Sequence, residues 1–259
     1  MKLIFRGHDD RYAVEQSLLA FFPDERPVYD GEDDNCAWVN LSEGPVYTTA
    51  TTKITYRGKT ARGVSREVTN DVPDEYEKER RRQKAVKLSF FKAARAITGV
   101  TPSWGALTGI RPGKLAARFL EEGKSPRAVD RILRDTYFVS PARRRLAIET
   151  AQAGLAAKAA LQPNDISLYI GIPFCPTRCA YCSFVSRTVG KKAELMEPYL
   201  EALLKEIQCT GALLRQSGRT IRSLYMGGGT PTTLTSPQMA RLLDAIRDIK
   251  VGEGVHPTL

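Results

Sequence analysis

The chain has 259 residues, 42% of them hydrophobic and 26% charged, with a formal net charge of +10. That length and apolar content suit one large domain or two ordinary ones and exclude a disordered or collagen-like chain. No apolar run reaches the roughly 18 residues of a membrane span. The start, MKLIFRGHDD, turns charged by Arg6 and lacks the apolar stretch of a secretory signal, so a cytoplasmic location is expected.

Charge is uneven along the chain. Residues 1–77 carry 9 basic and 15 acidic side chains, residues 78–165 carry 19 and 7, and residues 166–259 carry 11 and 7. Together with the predicted elements, this divides the chain into a small α+β module at 1–77, a basic helical region at 78–163 and a third domain at 164–259. The module opens with the apolar run Leu3 to Phe5. A helix is predicted over Tyr12 to Phe22, where Val14, Leu18, Leu19 and Phe22 fall at helical spacing before Pro23. From Cys36 to Val68, β-branched and aromatic residues with turns at Glu43-Gly44-Pro45 and Arg57-Gly58-Lys59 predict two or three antiparallel strands. Cys36, beside Trp38 and with no cysteine or histidine partner nearby, reads as a half-buried structural residue.

The second block predicts helices over 74–98, 113–122, 126–137 and 141–161. The first has an apolar stripe of Val86, Phe90, Phe91, Ala94 and Ile97. Ser125-Pro126 and Ser140-Pro141 each offer an N-cap serine and a first-turn proline. The run Lys78 to Arg82 and the triplet Arg143 to Arg145 could grip phosphate, although a solvated helix face is the better explanation. No zinc finger, stacking motif or helix-turn-helix spacing accompanies that charge, which argues against a nucleic-acid partner. Between the helices lies WGALTGIRPGK. It is not a Walker loop, because three residues separate Gly109 from Gly113 and Leu115 follows Lys114. It reads instead as a rigid loop that brings Arg111 and Lys114 to a helix start, facing an anionic group or a neighbouring carboxylate.

The third block carries the chemistry. Asp165 to Pro173 reads as a buried strand running into Phe174-Cys175-Pro176-Thr177-Arg178-Cys179-Ala180-Tyr181-Cys182. Three thiolates spaced C-x3-C-x2-C can take three corners of a cubane iron–sulfur cluster and leave the fourth iron open. Zinc is the competing reading, although a structural zinc site wants four closed ligands and the only histidines are His8 and His256. A disulfide would strand one thiol. After a helix predicted at about 194–217 comes a strand, Arg219 to Met226, then Gly227-Gly228-Gly229-Thr230-Pro231-Thr232 and a helix from Ser236 to Ile249. Glycines at the end of a strand let a ligand approach the backbone and expose its amides, although a tight turn alone also explains them. Both loops should open on the face where β/α folds keep their chemistry.

YIGIPFCPTRCAYCSF followed by YMGGGTPTTL resembles the radical S-adenosylmethionine (SAM) superfamily, in the branch of oxygen-independent coproporphyrinogen III oxidases and their relatives. WGALTGIRPGK is similar to a segment of the HemZ-type members, so the resemblance covers essentially the whole chain. It implies an α/β fold in which an N-terminal α+β and helical region precedes the first units of a partial (β/α)6 radical SAM barrel. It implies that Cys175, Cys179 and Cys182 hold a [4Fe-4S] cluster. Tyr169 and Tyr181 would lie beside SAM, and Gly227, Gly228, Gly229 and Thr230 would contact its amino-acid and adjoining portions. The implied reaction is the oxidative decarboxylation of coproporphyrinogen III to protoporphyrinogen IX in haem biosynthesis, with a tetrapyrrole substrate, a low-potential electron donor and no membrane partner.

Two departures qualify the resemblance. Oxidases of the branch continue to C-x3-C-x2-C-x-C, whereas Phe184 stands at that position here. A haem-binding chaperone of the same branch is therefore the alternative reading, ahead of another radical SAM reaction or a basic RNA-associated module. Only two complete β/α units can be counted after Tyr169. On that count the chain stops short of the barrel and is expected to be inactive and poorly soluble alone. His256, in the approach to a third strand, is given no catalytic role.

Overall fold

The computed structural model describes residues 1–249 except 73, 109, 110, 185 and 192. It divides into two compact units, Met1–Ala157 and Lys158–Leu259.

In the first unit, β1 (Lys2–Arg6) pairs in parallel with β2 (Cys36–Glu43), and β2, β3 (Tyr47–Tyr56) and β4 (Lys59–Val68) continue antiparallel in that order. Of the two or three antiparallel strands expected from the sequence, three are present, and the first apolar run joins them. Arg57 and Gly58, with φ of 48° and 75°, make the two-residue turn whose twist matches a hairpin. Alternation along the strands buries Ala37, Val39 and Leu41 on β2 and Thr48, Ala50, Thr52 and Ile54 on β3.

Helices α1 (Arg11–Phe21) and α2 (Glu75–Thr98) cover that buried face. Asp74 caps α2 by accepting from the Glu77 amide at 2.7 Å, and Gly99 ends it in the left-handed conformation at φ 69°. Val86, Phe90, Phe91 and Ala94 are buried as expected, and Ile97 packs at the edge of the core. On α1, Val14, Leu18 and Phe22 are buried but Leu19 is 41% exposed. Its direction, one residue on from Leu18, turns it off a face that only the sheet and α2 cover. Gly63 lets α2 lie close, since a Cβ there would run into the Ser89 carbonyl, and Ser89 shares a buried 2.7 Å hydrogen bond with Thr52.

The cationic run at the start of α2 is used internally. Lys78 and Arg82 meet Glu43, Arg80 meets Glu77, and Arg81 meets Asp71 while donating to the Val68 carbonyl at 2.7 Å. Lys92 donates to the Val64 carbonyl at 2.8 Å, so α2 also caps the free edge of β4.

Helices α3 (Pro112–Glu121), α4 (Pro126–Asp135) and α5 (Pro141–Ala159) enclose Ala116, Val129, Leu133, Ala147 and Ile148. The Ser125 hydroxyl caps α4, accepting from the Ala128 amide at 3.2 Å. This helix ends two residues before the predicted 137, ahead of Phe138, whose φ of 58° redirects the chain. Arg143 lies over the Trp104 ring at 5.4 Å, and Arg144 reaches Asp130 at 2.7 Å and the Val139 carbonyl at 2.8 Å. Arg111 is the N-cap residue of α3 and, like Lys114, is exposed.

In the second unit, β5 (Asp165–Ile172) and β8 (Thr220–Gly228) form a parallel pair, linked through α6 (Met196–Gln216) and followed by α7 (Ser236–Arg247). Between them β6 (Phe174–Cys175) and β7 (Arg187–Thr188) form a second, two-residue parallel pair. Ile170, Ile172, Leu200, Ile207, Leu224, Met226 and Leu242 make the core. The fold is α/β with a mixed sheet and separate parallel pairs. The partial-barrel expectation is not confirmed, because two strands are the extent of the parallel β/α sheet among the described residues. His256 lies outside the described residues.

Candidate cofactor site

The parallel register sets the site. Leu168-Tyr169-Ile170-Gly171 lies residue for residue against Leu224-Tyr225-Met226-Gly227. Both strands therefore release their chains at one end, β5 into the cysteine loop and β8 into the glycine turn. Tyr169 and Tyr225 stack there, centroids 5.7 Å apart at 27°, with Tyr169 59% exposed.

The glycine turn is zipped to the root of the cysteine loop. The Gly229 amide donates to the Ile172 carbonyl and the Thr230 amide to the Phe174 carbonyl, each at 2.7 Å. Side chains would block this contact. A Cβ on Gly227 would lie 2.7 Å from the Tyr225 ring and 3.0 Å from the Tyr169 hydroxyl. On Gly228, whose φ is 106°, it would lie 2.9 Å from the Ile172 carbonyl oxygen, and on Gly229 2.8 Å from Cys175 Sγ. Glycine is required at Gly228 by conformation and at Gly229 by approach.

The cysteine loop is held mainly at its base. Phe174 and Cys175 pair with Arg187 and Thr188, and the Arg187 amide donates to the Pro173 carbonyl at 2.8 Å. A turn closes Cys179 to Cys182 through a 3.0 Å backbone bond. All three cysteines are free thiols, Cys179 is exposed, and Tyr181 at 90% and Phe184 at 66% also face solvent. Hydrogen bonding to the Cys179 sulfur, and negative charge there, push the Tyr181 phenol above its usual pKa.

Among the described residues no three His, Cys, Asp or Glu side chains stand grouped to hold a metal ion, so the three sulfurs share one loop without forming a ready-made set. The donor chemistry nevertheless fits an iron–sulfur cluster. Three reduced thiols crowd one short loop, and a bare glycine backbone lies against the first of them. Cys36 and Cys209 stand elsewhere, on β2 and α6.

Two contributors escaped the sequence reading. Tyr225 was visible only as the second member of the repeated Leu-Tyr-x-Gly, whose register makes it the partner of Tyr169. Tyr199 of α6 donates to the Gly171 carbonyl at 2.5 Å and meets Phe174 edge-on at 5.3 Å, supporting β5 where the cysteine loop leaves it. Nothing local marks Tyr199, which reaches Gly171 only through the packing of α6.

No family model matches the chain. It is 32% identical, over 97% of its own length and 53% of the relative's, to the oxygen-independent coproporphyrinogen-III oxidase-like protein HemZ of Bacillus subtilis (strain 168). It is 34% identical over 38% of its length, and 25% of the relative's, to the heme chaperone HemW of Mycobacterium tuberculosis (strain CDC 1551 / Oshkosh). The solved coproporphyrinogen III oxidase HemN of Escherichia coli, described as a radical SAM enzyme, is 33% identical over 41% of this chain and 24% of that one, with a TM-score of 0.33. The chain thus spans about half the length of the HemZ relative and a quarter of the other two. Over most of its length the chain is homologous to the HemZ- and HemN-like family of oxygen-independent coproporphyrinogen III oxidases.

Proposed function

We propose that the protein is a radical SAM oxidoreductase that oxidatively decarboxylates coproporphyrinogen III. The supporting observation is that the cysteine loop and the glycine turn leave paired parallel strands at one end and are tied by the Gly229 and Thr230 amide bonds. Cys175, Cys179 and Cys182 would hold a [4Fe-4S] cluster, and the backbone of Gly227 to Thr230, with Tyr169 and Tyr181, would receive SAM. When bound, cluster and SAM together supply the one-electron cleavage that makes a carbon radical able to take a hydrogen atom from a propionate side chain. The chain's own residues bind and orient. The bare glycines admit the ligand to backbone distance, the Tyr169 and Tyr225 rings offer a flat apolar wall, and Tyr199 holds the β5 carbonyl at Gly171.

In a protein of the HemZ relative's length that contains this chain, anaerobic reconstitution followed by dithionite and SAM should release 5′-deoxyadenosine and convert coproporphyrinogen III to a product that has lost two carboxyl groups. Phe184 in place of the fourth cysteine, with the likeness to a heme chaperone, favours a second reading as a haem-binding protein of the same branch. Tight haem binding without decarboxylation would select that reading.

A further inference from the structure

The outward face of the N-terminal sheet has a charge pattern that the block totals conceal. Alternate residues of β1 to β4 point away from α1 and α2. These positions include Lys2, Arg6, Lys53, Arg62 and Arg66 and no acidic residue. The acids of the strands, Glu43 and Glu67, fall on the other parity and are taken up by Lys78, Arg82 and Lys84 of α2. Arg6, Lys53, Arg62 and Arg66 are exposed and have no ion pair or hydrogen bond among the described residues. The most acidic block of the sequence thus presents a purely cationic face, while the cationic run of the basic block is largely neutralised.

Trp38 stands inside this face, 54% exposed, in the cross-strand row Ile4, Trp38, Lys53, Arg62. With strands about 4.8 Å apart, the indole has an ammonium beside it and a guanidinium at about 10 Å. The next row, Asn40, Thr51 and Val64, adds an amide and a hydroxyl. At one end of the face Ser42, Thr49, Arg66 and Tyr47 help to line a depression of about 340 Å³.

We propose that this face binds single-stranded nucleic acid. Trp38 stacks on a base, the unpaired cations meet phosphates, and the depression beside Tyr47 and Arg66 takes a neighbouring base or sugar. An open sheet with an exposed aromatic, cations and small hydroxyl side chains suits unstacked bases. A protein partner would want a contiguous apolar centre larger than Ile4 and Trp38 provide, with Val64 set apart by Thr51 and Tyr47 at the far end of its strand.

The test titrates the chain with a fluorescein-labelled, mixed-sequence single-stranded RNA by anisotropy, in parallel with the same sequence as a duplex. Trp38→Ala should weaken binding about tenfold while Trp38→Phe retains most of it. Lys53→Glu with Arg62→Glu should weaken binding further and flatten the log–log salt slope by about 1.4. Arg127→Glu, an exposed charge on α4, should leave affinity unchanged, and circular dichroism verifies the fold of each variant. In a Trp104→Phe background, Trp38 emission should quench on binding. The proposal is overturned by absence of binding at low salt, by unchanged affinity in folded Trp38→Ala or Lys53→Glu/Arg62→Glu, by equal affinity for the duplex, or by displacement with poly-aspartate at equal charge, which would assign the face to acidic protein segments.

Discussion

The two loops at the end of the β5–β8 pair are built in opposite ways. The glycine turn is closed by backbone bonds and by contacts so tight that no side chain fits at Gly228 or Gly229. The cysteine loop is clipped at Phe174 and Cys175 and otherwise shows Cys179, Tyr181 and Phe184 to solvent. A cradle made of amides must be preset, because backbone positions cannot adjust one residue at a time. A loop that donates side chains can leave the final placement of its sulfurs to the group it binds. The contrast predicts that damage to the first is read as lost stability and damage to the second as lost ligand.

Serine at Cys175, Cys179 or Cys182 should abolish the iron–sulfur absorbance obtained by anaerobic reconstitution. For the exposed Cys179, unfolding free energy should move by no more than about 0.5 kcal/mol. Iron and sulfide analysis with urea melts checks both, and a Cys179→Ser protein that loses its fold would erase the contrast. The glycine turn should behave in reverse. Gly228→Ala should cost about 3 kcal/mol, from the positive φ together with the clash at the Ile172 carbonyl. A urea midpoint unchanged in Gly228→Ala would show that the turn is not preset. Smaller effects sharpen the boundary between the two regions. Tyr169→Ala should lose the stack on Tyr225, about 1 kcal/mol, and Tyr199→Phe should lose the bond to Gly171, about 1 kcal/mol or less; thermal melts rank them. Cys36→Ser and Cys209→Ser should change neither iron content nor the melt, since neither shares the loop.

Much of this was legible without coordinates. The helix starts at Ser125-Pro126 and Ser140-Pro141, the α2 stripe and the Arg57-Gly58 hairpin follow from capping, spacing and turn chemistry that act within a few residues. Leu19 was misread because a helical repeat marks an apolar sector without saying how wide a face its neighbours cover. Tyr199 was missed because its partner, Gly171, lies 28 residues away.

The sequence by itself determined the elements, the two loops and the donor types in them, since periodicity, caps and cysteine spacing are local properties of a chain. Only the tertiary structure decided what those elements meet. Parallel pairing set Gly229 against Cys175 and Tyr169 against Tyr225, both consequences of register across more than fifty residues. It also decided which charges are spent. A count of basic residues is a sum along the chain, whereas α2 packed on one parity of β4 takes Glu67 and leaves Arg62 and Arg66 bare on the other.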